Sequence, residues 1–547
     1  MGKKIIIVGG VAGGATTAAK LRRLDENAEI IMFERGEFIS FANCGLPYYI
    51  GEVIKERSKL LVQTVEGMKQ RYNMDIRNFT EVTSIDREQK IITARNVQTG
   101  QEYSETYDFL ILSPGAKPIV PPIEGLQSSN VFTLRNIPDM DKIKGFVEEK
   151  SPQTAVVIGG GFIGLEMAEN LKEAGLSVTI AEKSPQVMGP LDPEMAGIVQ
   201  NHLVEKGINL VLNNGIEKVY QNGQLVVLES GEMLESDLII LAIGVAPENN
   251  LAKAAGLELG DRGGMKVNEY LQTSDPSIYA LGDAIEVKDY VNGTPAMVPL
   301  AWPANRQAHI VAHSINGRDI KYPGTMGTSI VKIFDLTAAL TGNNEKTLRR
   351  LSVPFEAVHI HPLSHAGYYP GASQIAIKLL FDKETGKIFG AQAVGEDGAD
   401  KRIDVIATAI KGGLTIHDLQ ELELAYAPPF SSAKDPVNMA GYVASNIVDG
   451  MIETVQWDEI DDIIKKGGYL LDVRTVKEFE NGHIEGAINI DLDQLRERLA
   501  EIPQDKTIHI NCQVGLRGYL ASRILQQNGF KVKNLTGGYK TYSILNK

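Results

Sequence analysis

An α/β architecture of several domains is predicted for this 547-residue chain by three features: a strand–glycine turn–helix–strand unit that occurs twice, a later stretch without one, and a C-terminal stretch with its own strand–helix alternation. Single cores stop growing beyond about 250–300 residues, so length alone asks for more than one. The first unit runs from an apolar strand at residues 5–8 into Gly9-Gly-Val-Ala-Gly-Gly14, a helix to about Leu24, and a strand over Glu29–Phe33 ending on Glu34. The second runs from residues 155–158 into Gly159-Gly-Gly-Phe-Ile-Gly164, a helix to Ala174, and a strand over Ser177–Ala181 ending on Glu182. In each, free backbone N–H groups at the helix start face a pyrophosphate while the acid takes ribose hydroxyls. Glu34 follows Gly14 by 20 residues and Glu182 follows Gly164 by 18, close to the spacing this role needs. Val11 stands at the usual middle glycine of the first turn, a departure from the pattern. Two such turns in their strand–helix–strand context imply two Rossmann-like dinucleotide-binding domains.

Composition narrows the class. The chain is 43% hydrophobic and 23% charged with 54 glycines and no low-complexity run, which suits tight turns and close ligand approach. A net charge of −14 argues against general nucleic-acid binding. The first residues lead straight into a strand rather than an apolar signal segment, and no apolar run is long enough for a bilayer. A cytoplasmic protein with no membrane or nucleic-acid partner is expected, and no metal site. The two cysteines, Cys44 and Cys512, are then expected to act as separate thiols rather than as a structural disulfide.

Residues 325–448 change character. Strands are expected at 375–381 and 387–394 around a turn at 382–386, followed by a helix at 400–412. This reads as an α+β domain packing against the rest or against a second subunit. A connector at 449–455 leads to a last domain, residues 456–547, with strands at 469–473 and 487–490, a helix at 492–500, and a strand at 507–511. That strand delivers Cys512 at its C-terminal edge, where open α/β sheets bind ligands.

Residues 1–450 resemble the flavin-dependent disulfide reductase superfamily. Ser113-Pro-Gly-Ala116 resembles the turn closing the flavin domain, and Ala242-Ile-Gly-Val-Ala-Pro247 its counterpart after the nucleotide domain. Ile278-Tyr-Ala-Leu-Gly-Asp283 resembles the late flavin motif, whose aspartate holds the ribitol chain. The resemblance implies a discontinuous FAD domain (1–115 and 248–324), an NAD(P)H domain between its halves (116–247) and a dimerisation domain at 325–448, hence a homodimer. It assigns FAD to Gly9, Gly10, Val11, Ala12, Gly14, Glu34, Arg35, Val82, Asp283 and Ala301, and NAD(P)H to Gly159, Gly161, Ile163, Gly164, Glu182 and Gly244. Glu182 would repel a 2′-phosphate, favouring NADH, while Lys183 softens that preference.

Within the superfamily, Ser40-Phe-Ala-Asn-Cys-Gly-Leu-Pro-Tyr48 discriminates. Members with an internal disulfide carry a second cysteine five residues after the first; here Tyr49 stands there, and no other cysteine exists in residues 1–511. Cys44 must therefore cycle alone against an external sulfur or oxygen species. Single-cysteine peroxidases and oxidases carry a histidine in the first glycine turn, where this chain has Ala12. Gly367-Tyr-Tyr-Pro370 and Ala425-Tyr-Ala-Pro-Pro-Phe430 resemble coenzyme A–disulfide reductases, which implies Tyr368 and Tyr426 as proton donors to a leaving thiolate, set against the Cys44 of the other subunit. The same resemblance carries coenzyme A contacts to Thr16, Lys20, Arg23, Ser40, Asn43, Arg71, Arg306 and Lys434, and coenzyme A is grouped with FAD and NADH or NADPH among the cofactors.

The tail resembles single-domain rhodaneses through Leu471-Asp-Val-Arg474, Glu478-Phe, the run Gly482 to Asn489, and Gly537-Gly-Tyr539. Its loop Cys512-Gln-Val-Gly-Leu-Arg517 aims backbone N–H groups at the sulfur, and Arg517 adds positive charge. The whole implies an FAD-dependent NAD(P)H:persulfide, polysulfide and coenzyme A–disulfide reductase in which Cys512 accepts sulfane sulfur and Cys44 reduces the coenzyme A-bound species. An NADH oxidase using oxygen, and a redox-sensing or sulfur-delivery protein acting on a protein partner, stay open beside it.

Overall fold

The computed structural model describes residues 2–546; Met1 and Lys547, the outer bounds of the first and last expected domains, lie outside the described residues. The chain forms two compact units, one from residues up to 185 with 208–327, the other from 186–207 with 328 onward. The predicted α/β class is present: parallel Rossmann-like sheets, an antiparallel sheet in the α+β region, and a parallel sheet at the C-terminal end.

In the first unit, five parallel strands lie in the order Ile278–Ala280, Phe109–Leu112, Lys4–Val8, Glu29–Phe33 and Asp75–Arg77. Ile5, Ile6 and Ile7 are buried on both faces of the sheet, the unbroken apolar run expected of a covered parallel strand. Pairing of Ala280 with Leu112 puts a late strand beside an early one, so Asp283 arrives next to the first glycine turn. Helices Ala12–Leu24 and Ala301–Ile315 pack together on this sheet, bridged by Thr16 Oγ1 donating to Asn305 Oδ1 at 2.7 Å. A second parallel sheet orders Asn209–Val211, Ser177–Ala181, Thr154–Ile158, Leu238–Leu241 and Val131–Phe132.

In the second unit, an antiparallel sheet orders Ser329–Ile333, Leu336–Gly342, Ile388–Gly395, Ile375–Phe381 and Glu356–Ile360. Helix Pro193–Glu205, from within the segment expected to form the NAD(P)H domain, packs on this sheet. Every residue of Ile375–Phe381 is buried, including Lys378. A buried ammonium requires paired charge. Lys378 Nζ meets Glu194 at 2.5 Å, Glu345 at 2.7 Å and Asp192 at 3.0 Å. These three acids are close enough together to hold a metal ion, but Lys378 already supplies the cation they share. His359 Nε2 bonds Glu194 Oε1 at 2.8 Å, and His361 Nε2 bonds Thr541 Oγ1 at 2.8 Å.

The last sheet orders Thr454–Val455, Lys531–Leu535, Thr507–Asn511, Tyr469–Asp472 and Ile488–Asn489, all parallel. Two expectations are corrected here. Residues 492–500 do not form a helix: they run as successive turns, with only the short 3₁₀ piece Leu499–Glu501. Asp491 Oδ1 captures the Asp493 N–H, a local bond that competes with helical pairing. Thr454 and Val455, expected in a connector, form an edge strand paired with Asn534 and Leu535.

Candidate functional site

The two glycine turns are built alike. Glu34 accepts from the N–H groups of Gly10 and Gly36 at 2.9 and 2.8 Å; Glu182 accepts from those of Gly160 and Ser184, both at 2.7 Å. Each acid thus holds its own turn in shape at the strand end. Gly9 has φ +100°, and a Cβ there would lie 2.1 Å from Ser113 O, so only glycine fits. Gly14 and Gly164 let the helix approach the turn, since a Cβ would fall about 2 Å from Gly9 O and Gly159 O. A Cβ on Gly161 meets no protein atom within 4 Å, the space a pyrophosphate would use. At the corresponding point of the first turn, Val11 opens helix Ala12–Leu24 as its N-cap.

Asp283, on the 3₁₀ turn Gly282–Ala284, is half-buried, and its carboxylate accepts no hydrogen bond among the described residues. Burial raises its pKa, with Arg135 opposing. An orphan acceptor beside a glycine turn fits a hydroxylated ligand such as FAD, with Gly9–Gly14, Glu34 and Asp283 holding it. Of the other residues assigned to this group, Val82 is buried in an antiparallel strand, Arg35 pairs with Glu248 at 3.0 Å, and Ala301 begins helix Ala301–Ile315 on an exposed face. In the second turn, Ile163 is exposed on the helix face; Gly244 takes φ +125° in the bend between strands Leu238–Leu241 and Val245–Pro247.

Cys44 lies on the 3₁₀ turn Asn43–Gly45, exposed and free. The segment is fastened to the first glycine turn by Ser40 N–H donating to Gly10 O at 2.9 Å, with Ser40 itself at φ +46°. Ala42 N–H donates to Leu60 O, and Asn43 Nδ2 donates to Arg135 O at 3.2 Å. Partial desolvation, then the Glu166 and Asp283 carboxylates, raise the thiol's pKa. Glu166 comes from helix Phe162–Glu173, and Tyr48 Oη donates to it at 3.4 Å. Burial pushes Glu166 up to about 7, so a carboxyl able to exchange a proton near neutrality lies within electrostatic reach of the sulfur. The sequence reading missed it, although Glu166 sits only two residues beyond Gly164.

Of the coenzyme A residues, Lys20, Arg23 and Arg306 converge on one place: all three depress His309, after desolvation as the main cause. Thr16 joins them through Asn305. Arg71 lies on helix Val65–Tyr72, exposed to solvent. His309 and Asn305 are two further residues of this cationic patch that the sequence reading did not name; each sits within four residues of Arg306.

In the second unit, Tyr368 and Tyr426 come together, with Oη–Oη at 2.9 Å and both rings solvent-exposed. That hydrogen bond raises the Tyr368 pKa. Their loops are tied beneath by Arg402, buried, which donates to Ser364 O at 2.8 Å and Asp435 Oδ2 at 3.1 Å. Lys434 lies over the Tyr442 ring at 4.8 Å.

Cys512 is buried at the end of strand Thr507–Asn511, and Gly515 N–H donates to its Sγ at 3.1 Å. The loop is held from behind: Tyr539 and Lys540 N–H groups donate to Cys512 O and Gln513 O, and a Cβ on Gly538 would lie 2.3 Å from Cys512 O. Arg517, expected to add positive charge beside the sulfur, is paired with a carboxylate. Its two terminal nitrogens donate to Glu478 at 2.8 and 2.6 Å. Arg474 is likewise bound to Asp472 and stacks on Tyr539 at 4.2 Å. Among the described residues, no helix is long and apolar enough to cross a membrane.

Comparison with known proteins accords with this geometry. The pyridine nucleotide-disulphide oxidoreductase family matches residues 3–307, its dimerisation domain residues 328–436, and the rhodanese-like domain residues 456–544. Coenzyme A disulfide reductase of Staphylococcus haemolyticus is 40% identical over 446 residues, covering 81% of this chain and 100% of that protein. Reduced CoADR-RHD of Bacillus anthracis superposes with a TM-score of 0.98 at 60% identity, covering 100% of this chain and 98% of that one. The NAD-dependent persulfide reductase of A. fulgidus superposes with a TM-score of 0.92 at 40% identity, over 98% of this chain and 100% of that one. In the staphylococcal relative coenzyme A disulfide is what is reduced, so the grouping of coenzyme A with the cofactors is corrected: it belongs with the substrates. The family implies FAD and NAD(P)H, and the dimerisation domain points to a homodimer. The chain belongs to the pyridine nucleotide-disulphide oxidoreductase family, as an NAD(P)H-dependent flavoprotein disulfide reductase carrying a C-terminal rhodanese domain.

Proposed function

We propose that this protein reduces coenzyme A persulfide and coenzyme A disulfide at Cys44, and that Cys512 loads the persulfide sulfur. The observation that carries the reading is the separation of two unpaired thiols into differently built sites. Cys44 is exposed beside acids and a glycine turn, whereas Cys512 is buried in a loop that donates a backbone N–H to its sulfur. Gly9–Gly14, Glu34 and Asp283 would hold FAD, and Gly159–Gly164 with Glu182 would hold NAD(P)H, the pair that would supply the two electrons this reduction needs. Cys44 thiolate attacks the coenzyme A sulfur of the persulfide, the S–S bond breaks, and sulfide leaves with the bonding pair. Two electrons then release coenzyme A thiolate and restore Cys44. Lys20, Arg23 and Arg306 offer the clustered positive charge that coenzyme A phosphates need, with Thr16, Ser40, Asn43, Arg71 and Lys434 as further contacts.

Cys512→Ser is expected to lose polysulfide- or persulfide-dependent sulfur transfer while keeping NADH-dependent reduction of coenzyme A disulfide. Simultaneous loss of both activities in a folded variant would sink this division of labour.

Tyr368 and Tyr426 are proposed to donate a proton to the departing thiolate from the partner subunit's side of the site. General acid work of this kind is worth roughly 10²–10⁴-fold. Tyr426→Phe should slow reoxidation by coenzyme A disulfide roughly 10²-fold, Tyr368 retaining part of the role, and leave reduction by nicotinamide unchanged. Subunit exchange between Cys44→Ser and Tyr426→Phe dimers should restore part of the activity, because one site of each mixed dimer is then intact. No recovery after demonstrated exchange would place both residues in a single chain's site.

A further inference from the structure

We infer that the Cys512 loop selects sulfane-sulfur donors presented on an uncharged chain over dianionic thiosulfate, and that Glu478 sets this preference. The inference rests on the proposed sulfur-transfer role of Cys512 and adds the class of donor. Three observations carry it.

Arg517 is the only cation in residues 512–517. Its fork is filled by Glu478, which also accepts from the Thr475 hydroxyl at 2.8 Å and the Thr475 N–H at 3.1 Å. The carboxylate is therefore fixed in place by four donors, and Arg517 first among them holds it down to about 2, so it is ionised at any working pH. The next cation, Arg474, is committed to Asp472 through three contacts of 2.7–3.0 Å and to Gly482 O at 2.9 Å. Arg517 and Arg474 are thus each neutralised by a carboxylate, and the ammonium of Lys540, half-buried behind the loop, is turned to Gln374 Oε1.

The rim is apolar instead. Leu516 and Leu520, one helical turn apart on helix Leu516–Gln527, are 64% and 45% exposed, and Val476, on the short helix that carries Glu478, is 55% exposed. These side chains sit on the two helices that carry Arg517 and Glu478, and offer an incoming donor apolar surface there. A hydropersulfide on a pantetheine-like arm matches this surface: its reacting end is neutral or singly charged, and its body is uncharged. Cys512 thiolate attacks the outer sulfur of R–S–SH. The Cys512–S bond forms, the donor S–S bond breaks, and R–S⁻ departs with the electron pair. Thiosulfate would follow the same course with sulfite leaving, but it must bring two negative charges to a site whose two arginines are already neutralised.

The test uses the full-length flavoprotein without nicotinamide and follows addition of one sulfur atom to the Cys512 peptide by mass spectrometry. Pantetheine persulfide and thiosulfate are the two donors. Glu478→Gln unmasks Arg517, so the loading rate from thiosulfate should rise about tenfold at low ionic strength, an increase that salt erodes. Loading from pantetheine persulfide should change little. An unchanged ratio of the two rates in Glu478→Gln would overturn the inference. Should that variant not fold, Leu516→Ser with Leu520→Ser gives a second reading: the half-saturating pantetheine persulfide concentration should rise with thiosulfate unaffected, and equal effects on both donors would sink the idea. If wild-type Cys512 takes sulfur from neither donor, the sulfur-transfer role itself fails, an outcome distinct from a failure of selectivity.

Discussion

Cys44→Ser is expected to abolish reduction of coenzyme A disulfide and of persulfides, by at least about 10³-fold, while the protein keeps its flavin colour. Oxygen cannot replace sulfur here, because a serine alkoxide is inaccessible near neutrality and an S–O linkage does not cycle with two electrons. Flavin retention follows from the layout of the cradle. The groups that shape it, Gly9, Gly14, Glu34 and Asp283, are anchored by backbone and strand contacts that do not involve the Cys44 side chain. The measurement is NADH-dependent reduction of each substrate beside a visible spectrum of the purified variant. Near-normal turnover with persulfide would remove Cys44 from the mechanism. It would leave Cys512, the one other thiol of the chain, to carry the reaction.

Lys378→Met is expected to cost the second unit about 3–5 kcal/mol, the range for breaking a buried ion pair by deleting one partner. Lys378 is fully buried, and its removal strands Asp192, Glu194 and Glu345 around an apolar side chain. Trp457 lines the small cavity beside these acids and reports unfolding of this unit by fluorescence, with Trp302→Phe silencing the chain's other tryptophan. Combining Lys378→Met with Glu194→Gln should recover part of the loss, since one uncompensated charge is then gone. A Lys378→Met protein as stable as the parent would mean that water reaches the cluster. Acid should weaken the same unit in two stages. His361 is buried, and desolvation, helped by Lys540 and His359, pulls its pKa from 6.5 down to about 3. The unfolded chain therefore binds a proton that the folded chain refuses, and stability falls as pH drops below about 6.5. Burial alone would raise Glu194, but Lys378 and His359 overcome it and hold the carboxyl well below the usual range. Its contribution is present above the ordinary carboxylate pKa and is lost only deeper in acid. His361→Gln should flatten the first stage and leave the second.

The fold class was legible because period and punctuation agreed: apolar runs of strand length ended at glycine turns, and both acids fell at the expected spacing. Tyr368 and Tyr426 could be named as a pair from their motifs, and the structure brings their hydroxyls within hydrogen-bonding distance. What stayed hidden was partner choice at long range. Nothing in Leu516 or Arg517 announces that a glutamate 39 residues earlier will fill the guanidinium fork. The lysine within Ile375–Phe381 reads as a break in an apolar strand, and its acids come from two separate places upstream, the start of helix Pro193–Glu205 and the short helix Glu345–Arg350. The helix expected at 492–500 failed for a local reason: Asp491 Oδ1 takes the Asp493 N–H at the start of the run, and the residues after it close successive backbone turns instead of helical bonds. Glu166 was overlooked because a carboxylate on a nucleotide-binding helix looks like a solvated one until its burial is known.

Helix Pro193–Glu205 has a consequence for how the chain is made. Its sequence neighbours close a parallel sheet with one another, yet its own contacts come much later: Glu194 waits for Lys378, 184 residues on, and Asp192 for Gln392, 200 residues on. While the ribosome is still translating that interval, Met195, Val199 and Leu203 have nothing to bury them, and two carboxylates have no cation. A nascent chain halted anywhere in this stretch is a natural client for chaperones and proteases. The nucleotide-binding half therefore cannot be cut away as a clean fragment at residue 327. Its chain is interrupted at 186–207 by a segment that belongs to the other unit, so the reductase reaches maturity only after most of its length has left the ribosome.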